Sequence, residues 1–240
     1  DADEILRDLM EGKGNFREDM ECLGEDLSHQ FSYYDATAYV LPHLAVLCEK
    51  LSLEDKAFLI AEIGPAIAAE AVWPLEPGTE ACREFQKGLR GLRHETEKIV
   101  MNTDIEAILG NNLRRRQSFA LSALAILGDR MHAYGMWLLL GHDWEDCIGA
   151  CSCGWKEEVI SFFTDQDYFC MEPVPIAPWD GKSIDDEPVW FQGLLRRIGD
   201  EETIRLLPFA YGTCVCPDCG KRTAYWEWLA KFIGYGWCGG

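Results

Sequence analysis

Six of the eleven cysteines in this 240-residue chain fall in two short clusters with the spacing of metal ligands. The first reads Cys147-x-x-x-Cys151-x-Cys153-Gly154, and the second Cys214-x-Cys216-Pro217-Asp218-Cys219-Gly220. A Cys-Pro-x-Cys-Gly turn is a metal knuckle: the bend aims both sulfurs at one point, and glycine accepts the backbone geometry after the second thiolate. Two such turns brought together make a tetrahedral four-thiolate site, the set that Zn²⁺ prefers and that a structural zinc fills completely. The expected ligands are therefore Cys151, Cys153, Cys216 and Cys219, with Zn²⁺ in a structural role. The Cys-x-Cys bite of the first pair is one residue short of the usual knuckle, so Cys147 or Cys214 could replace Cys151 or Cys153.

Other chemistry has less to stand on. Reduced, incidental thiols and a redox-active Cys-x-x-Cys pair are the plainest alternatives, although the βαβ surroundings of a thiol oxidoreductase are missing. A catalytic zinc needs three protein ligands, an open fourth position and a base. His142, Asp143 and Glu145 precede Cys147 and would supply a hydrolase near His142. Neither a His-Glu-x-x-His nor a His-x-Glu with a following Pro-Cys-x-x-Cys occurs. His29, His43, His94 and His132 are isolated and read as packed or surface residues. Cys22, Cys48 and Cys82 lie in helical patterns and read as small buried apolar residues. Cys170 and Cys238 have no nearby histidine to activate them, and no Gly-x-Ser-x-Gly or phosphate-cradling loop is present. The acidic stretches 143–146 and 185–187 read as solvated loops. No catalytic residue is expected.

The formal charge is −19, of which −9 falls beyond residue 140 and −10 before it. A nucleic-acid or anionic-membrane ligand requires a basic stripe, and Arg114-Arg115-Arg116 is the longest run available. Nucleic acid and membrane are therefore not expected partners. The apolar runs are too short to span a bilayer. No charged-then-apolar segment opens the sequence, and its start at Asp1 reads as a processed or shortened end. An odd number of clustered cysteines suits a reducing compartment, hence the cytoplasm.

The elements that carry these residues divide near residue 140. Residues 1–140 are helical in pattern, and residues 141–240 read as a zinc-clamped α+β subdomain packed on the helical array. Asp35 can cap a helix through Ala36, Ala38, Leu41, Leu44, Ala45 and Cys48, with Pro42 bending its axis. Ser52, with Asp55 three residues on, can cap the next helix, and the two read as an antiparallel hairpin with a kink at Gly64-Pro65. A second pair is expected from Ala120 to Leu140, divided by Gly128 and capped by Asp129. Between the pairs, Glu80 to Asn102 reads as a charged amphipathic helix. Asp3 to Met10 starts a further helix, and residues 11–30 are ambiguous. Beyond 140, Trp155 to Phe163 and Tyr211 to Val215 read as strands, and Thr164 to Pro188 as an extended loop. Val189 to Ile198 and Glu201 to Leu207 read as short helices, and Arg222 to Ile233 as a closing helix. Six of the nine tryptophans lie beyond residue 150, which predicts an aromatic-filled subdomain.

The run Leu27-Ser-His-Gln-Phe-Ser-Tyr-Tyr-Asp-Ala-Thr-Ala-Tyr-Val-Leu-Pro-His-Leu44 resembles the first unit of bacterial HEAT-repeat-like proteins, with Pro42 where the first helix of such a unit is often bent. Arg116-Gln-Ser-Phe-Ala-Leu-Ser-Ala-Leu-Ala-Ile-Leu-Gly-Asp129 is similar to their later units. The resemblance covers roughly residues 27–140. It implies a HEAT/ARM-like α-α superhelix whose usual task is to present a protein-binding surface, and it carries over no catalytic residue. The expected fold class is mainly α, with a small C-terminal α+β zinc-knuckle subdomain. The expected function is a non-catalytic scaffold for an unknown protein partner; a zinc hydrolase, a thiol redox or metal-sensing protein, and a zinc-ribbon nucleic-acid binder with Lys221, Arg222 and Lys231 as its few basic candidates are the alternatives.

Overall fold

Short polar side chains set the helix starts. Ser52 accepts from the Asp55 N–H, Thr79 from that of Cys82 and Asn112 from that of Arg115, each at 3.2 Å. Asp129 takes two such donors, Met131 N–H at 2.7 Å and His132 N–H at 3.2 Å. Each cap satisfies backbone donors that have no partner inside the helix. The computed structural model describes residues 2–27, 36–102, 104–140, 148–154, 156–158, 176–181 and 186–228. It is mainly helical: α1 (Ala2–Glu11), α2 (Phe16–Leu27), α3 (Ala36–Lys50), α4 (Leu53–Ala69), α5 (Glu80–Val100), α6 (Ile105–Leu109), α7 (Leu113–Leu127) and α8 (Arg130–Leu140) come first. The strands β1 (Ile148–Ala150) and β2 (Lys156–Glu158) follow, then α9 (Asp186–Arg197), α10 (Glu201–Ala210), β3 (Thr213–Val215) and β4 (Arg222–Ala224). None of the described helices is long and apolar enough to cross a membrane.

The chain forms two compact units, residues 1–134 with 193–200, and residues 135–192 with 201–240. In the first, helices adjacent in space are mostly not adjacent in sequence. One row runs α1, α3, α5 and the other α2, α4, α7, with α3 lying along α5 and α4 along α7. The two-residue link between α3 and α4 is present, yet those helices share much less surface than either shares within its row. α7 likewise packs on α4 and α5, which displaces the expected pairing of α7 with α8. The reason lies in α4, whose buried residues Ala57–Ala61, Ile63, Gly64 and Ala66–Ala69 occupy its whole circumference. A helix apolar all round must be surrounded.

Glycines let the rows close. A Cβ on Gly64 would sit 1.8 Å from Ser122 Oγ and 2.9 Å from Ser122 Cα, so α4 and α7 touch nearly backbone to backbone. A Cβ on Gly88 would lie 2.6 Å from the Leu41 carbonyl carbon, and one on Gly91 2.8 Å from Ala45 Cβ. Glycine at these positions is a packing requirement. Between the rows, Lys56 of α4 forms a buried ion pair with Glu95 of α5, and Lys98 reaches the same carboxylate at 2.6 Å.

In the second unit β1 and β2 form one antiparallel hairpin, and β3 and β4 another. Ala177 extends the latter through paired backbone bonds to Thr213 of 2.8 and 2.9 Å. Trp228, Tyr225, Phe191, Ile176 and Leu207 are buried there, so aromatic side chains do fill much of this unit. Two expectations fail. Residues 222–224 are strand, and helix begins only at 225, because Arg222 to Ala224 pair with β3. Asp186 to Pro188 are the first turn of α9 and not loop; proline is tolerated there because its missing N–H would have had no helical partner. The expected strand residues 159–163, the cap Asp35 and the segment 164–175 lie outside the described residues.

Candidate metal centre

Each hairpin ends in a loop that presents two sulfurs. Ala150 pairs with Lys156, so Cys151, Cys153 and Gly154 form the tip between β1 and β2. Gly154 donates its N–H to the Cys151 carbonyl at 3.0 Å and adopts φ +101°, a conformation that an L residue with a side chain rarely takes. Val215 pairs with Arg222, and the intervening tip closes twice: Gly220 N–H to Cys216 carbonyl at 2.9 Å, and Cys216 N–H to Lys221 carbonyl at 3.0 Å. Gly220 has φ +71°. A glycine after the second cysteine thus lets both chains turn back into their second strands.

The two tips bring Cys151, Cys153, Cys216 and Cys219 together, with all four sulfurs within 4.8 Å of one another. Cys151 Sγ lies 3.6 Å from Cys219 Sγ, and Cys153 Sγ 3.7 Å from Cys216 Sγ. A regular tetrahedron with Zn–S bonds near 2.3 Å has edges of about 3.8 Å. These four cysteines are positioned to hold a metal ion, and none of them is in a disulfide. Cys151 and Cys216 are buried, whereas Cys153 and Cys219 are exposed. The backbone N–H of Cys153, with help from the neighbouring thiols, draws the Cys151 thiol down to about 6 against the cost of burial. Burial pushes the Cys216 thiol up to about 12, despite the N–H groups of Cys219 and Asp218 aimed at it. A bound cation replaces these protons, since the thiolate is the ligand form.

Cys214 does not join the four. It is fully buried opposite Thr223 in the β3–β4 ladder, and burial pushes its thiol up to about 12. It behaves as a small apolar core residue. Cys147, His142, Asp143, Glu145, His29, Cys170 and Cys238 lie outside the described residues. Of the three helical cysteines, Cys48 is buried and Cys82 half-buried, but Cys22 is exposed on the outer side of α2, contrary to its expected burial. His43 and His94 are exposed, and His132 is half-buried.

Two of the three consecutive arginines are used inside their own unit, while Arg114 is exposed. Arg116 is buried and donates to the carbonyls of Gly110 at 2.6 Å and Ile198 at 2.9 Å, while Arg115 lies 5.2 Å over the Phe58 ring. Lys221, one of the few basic residues of the C-terminal part, places its Nζ 3.5 Å from Ser152 Oγ of the opposite tip.

No protein-family model matches this chain, and neither does any curated protein or solved structure.

Proposed function

We propose that this chain is a non-catalytic protein-binding scaffold whose C-terminal part is held together by one structural Zn²⁺ on Cys151, Cys153, Cys216 and Cys219. The observation that carries the metal reading is the convergence of four sulfurs from two hairpin tips at near-tetrahedral separations. Four thiolates close the coordination shell and leave no position for a reacting water, which favours a structural ion over a hydrolytic one. Sulfur ligation in this geometry suits Zn²⁺ or iron.

The scaffold reading rests on the two helical rows, which are the layers a HEAT-like stack of helical hairpins would have. On this reading the superhelix occupies residues 1–140 and the clamped α+β part residues 141–240. The charge of −19, together with the internal use of Arg115 and Arg116, favours a protein partner over nucleic acid or membrane. A cytoplasmic setting fits the free thiols at the described cysteines.

Elemental analysis of protein purified without added metal tests the centre. One zinc per chain is expected, falling to background in Cys216→Ser and Cys219→Ser, and Co²⁺ substitution should give the visible bands of a tetrahedral thiolate site. Metal-free protein whose thiols all react freely would refute it. The scaffold reading expects a stoichiometric protein partner on affinity capture from the source cells; isolation of the chain alone, or with nucleic acid, counts against it.

A further inference from the structure

The four sulfurs are not equivalent, and their inequality bears on more than metal retention. Each tip supplies one buried sulfur, Cys151 or Cys216, and one exposed sulfur, Cys153 or Cys219. All four sulfurs lie within 4.8 Å of one another, and each exposed one has a buried one of the other hairpin close by: Cys219 to Cys151 at 3.6 Å, and Cys153 to Cys216 at 3.7 Å. An oxidant from solvent therefore meets Cys219 or Cys153 first, and a buried sulfur of the other tip stands within 3.7 Å to answer. Within the first tip a Cys-x-Cys disulfide would close a small strained ring, so the tidy partition of four thiols into two bonds is the cross-hairpin one.

Resting on the zinc reading above, we infer that the centre is an oxidation-responsive staple, in which a hydroperoxide converts the metal clamp into a disulfide joining the same two loops and releases the ion. The Cys219 thiolate attacks the distal peroxide oxygen; the O–O bond breaks, and the departing alkoxide or hydroxide takes a proton from water. Cys219 is then a sulfenic acid. The Cys151 thiolate attacks Sγ of Cys219, the S–O bond breaks, and hydroxide leaves as water with a second solvent proton. Two thiolates lose two electrons in all, and the peroxide gains them. The ion, left with two thiolates, passes to solvent, and a second peroxide equivalent can join Cys153 to Cys216 in the same way.

Two features set this device apart from ordinary damage. The clamp persists in covalent form, because the oxidised pair spans the hairpins as the metal did. The reaction is also reversible by a dithiol, so a metal-loaded state can be restored.

The test uses wild-type, zinc-loaded protein treated with one equivalent of hydrogen peroxide in the presence of a chromogenic zinc chelator. Peptide mapping under non-reducing conditions follows. The expected result is stoichiometric zinc release together with a Cys151–Cys219 or Cys153–Cys216 linked peptide, both reversed by dithiothreitol and added zinc. Zinc release with a Cys216–Cys219 disulfide, with sulfinic or sulfonic acids, or with bonds to Cys22 would overturn the inference, as would full zinc retention. If the purified protein carries no zinc, the structural-zinc reading fails by itself. The same mapping on that protein still decides whether the thiols pair across the hairpins.

Discussion

Glu62 of α4 lies half-buried within electrostatic reach of Glu21 and Glu25 of α2 and of Arg115 of α7. Burial, and after it the charge of Glu21, pushes its carboxyl from the ordinary 4.5 up to about 7. The folded chain thus holds a proton on Glu62 that the unfolded chain has already lost across that window. Its contribution to stability therefore falls as pH rises from 4.5 to about 7. Glu62→Gln should be more stable than the wild type above pH 7 and indistinguishable near pH 4.5, as measured by urea unfolding along a pH series. The buried pair of Lys56 and Glu95 behaves oppositely. Burial alone would raise the Glu95 carboxyl, but hydrogen bonds from Lys56 and Lys98 outweigh it and hold the group below its ordinary value. Its contribution is present above the unfolded carboxyl range and is lost in acid. Glu95→Gln strands a buried ammonium and should cost about 3–5 kcal/mol at neutral pH, whereas Lys56→Met with Glu95→Leu should cost far less. Denaturant midpoints of the three proteins check both statements.

Among elements, the packing of α4 on α7 depends on one glycine. Gly64→Ala drives a methyl into Ser122, and only part of the clash is side chain, since the Ser122 Cα would lie at 2.9 Å. The substitution should destabilise by about 1–3 kcal/mol despite the better helix propensity of alanine, and Ser122→Gly should restore part of the loss. Gly88→Ala is expected to behave similarly and to lack such a rescue, because it meets backbone atoms of Leu41 and Pro42. Thermal unfolding of the single and double variants reads out this difference. The caps at Ser52 and Asp129 were legible in sequence because capping is local. The partners of α3 and α7 were not. Periodicity says which face of a helix is apolar, and it does not say which other helix covers that face.

For the molecule as a whole, the metal reading predicts an uneven response to chelation. The hairpin tips of the second unit hold the cysteines, and Trp228 is buried in that same unit. Most of the described helical residues, α1 to α7, lie in the first. A strong zinc chelator should therefore shift tryptophan emission markedly while far-UV helical ellipticity changes little. A proportional loss of both signals would count against a centre confined to the second unit.

From the sequence alone came the helical character of the described residues up to 140, the caps Ser52 and Asp129, and the four cysteines that converge. Each is fixed by short-range chemistry: apolar spacing at 3.6 residues, a hydroxyl or carboxylate near free N–H groups, and a knuckle whose glycine permits φ above zero. The tertiary structure decided what depends on distant partners. It sent Cys214 into the core and Cys153 to the surface, made residues 222–224 a strand, and stacked the helices in two rows. It also set buried against exposed sulfur across the hairpins. Spacing along a chain tells which atoms can share an ion, but burial and cross-hairpin distance exist only once both loops have folded into place.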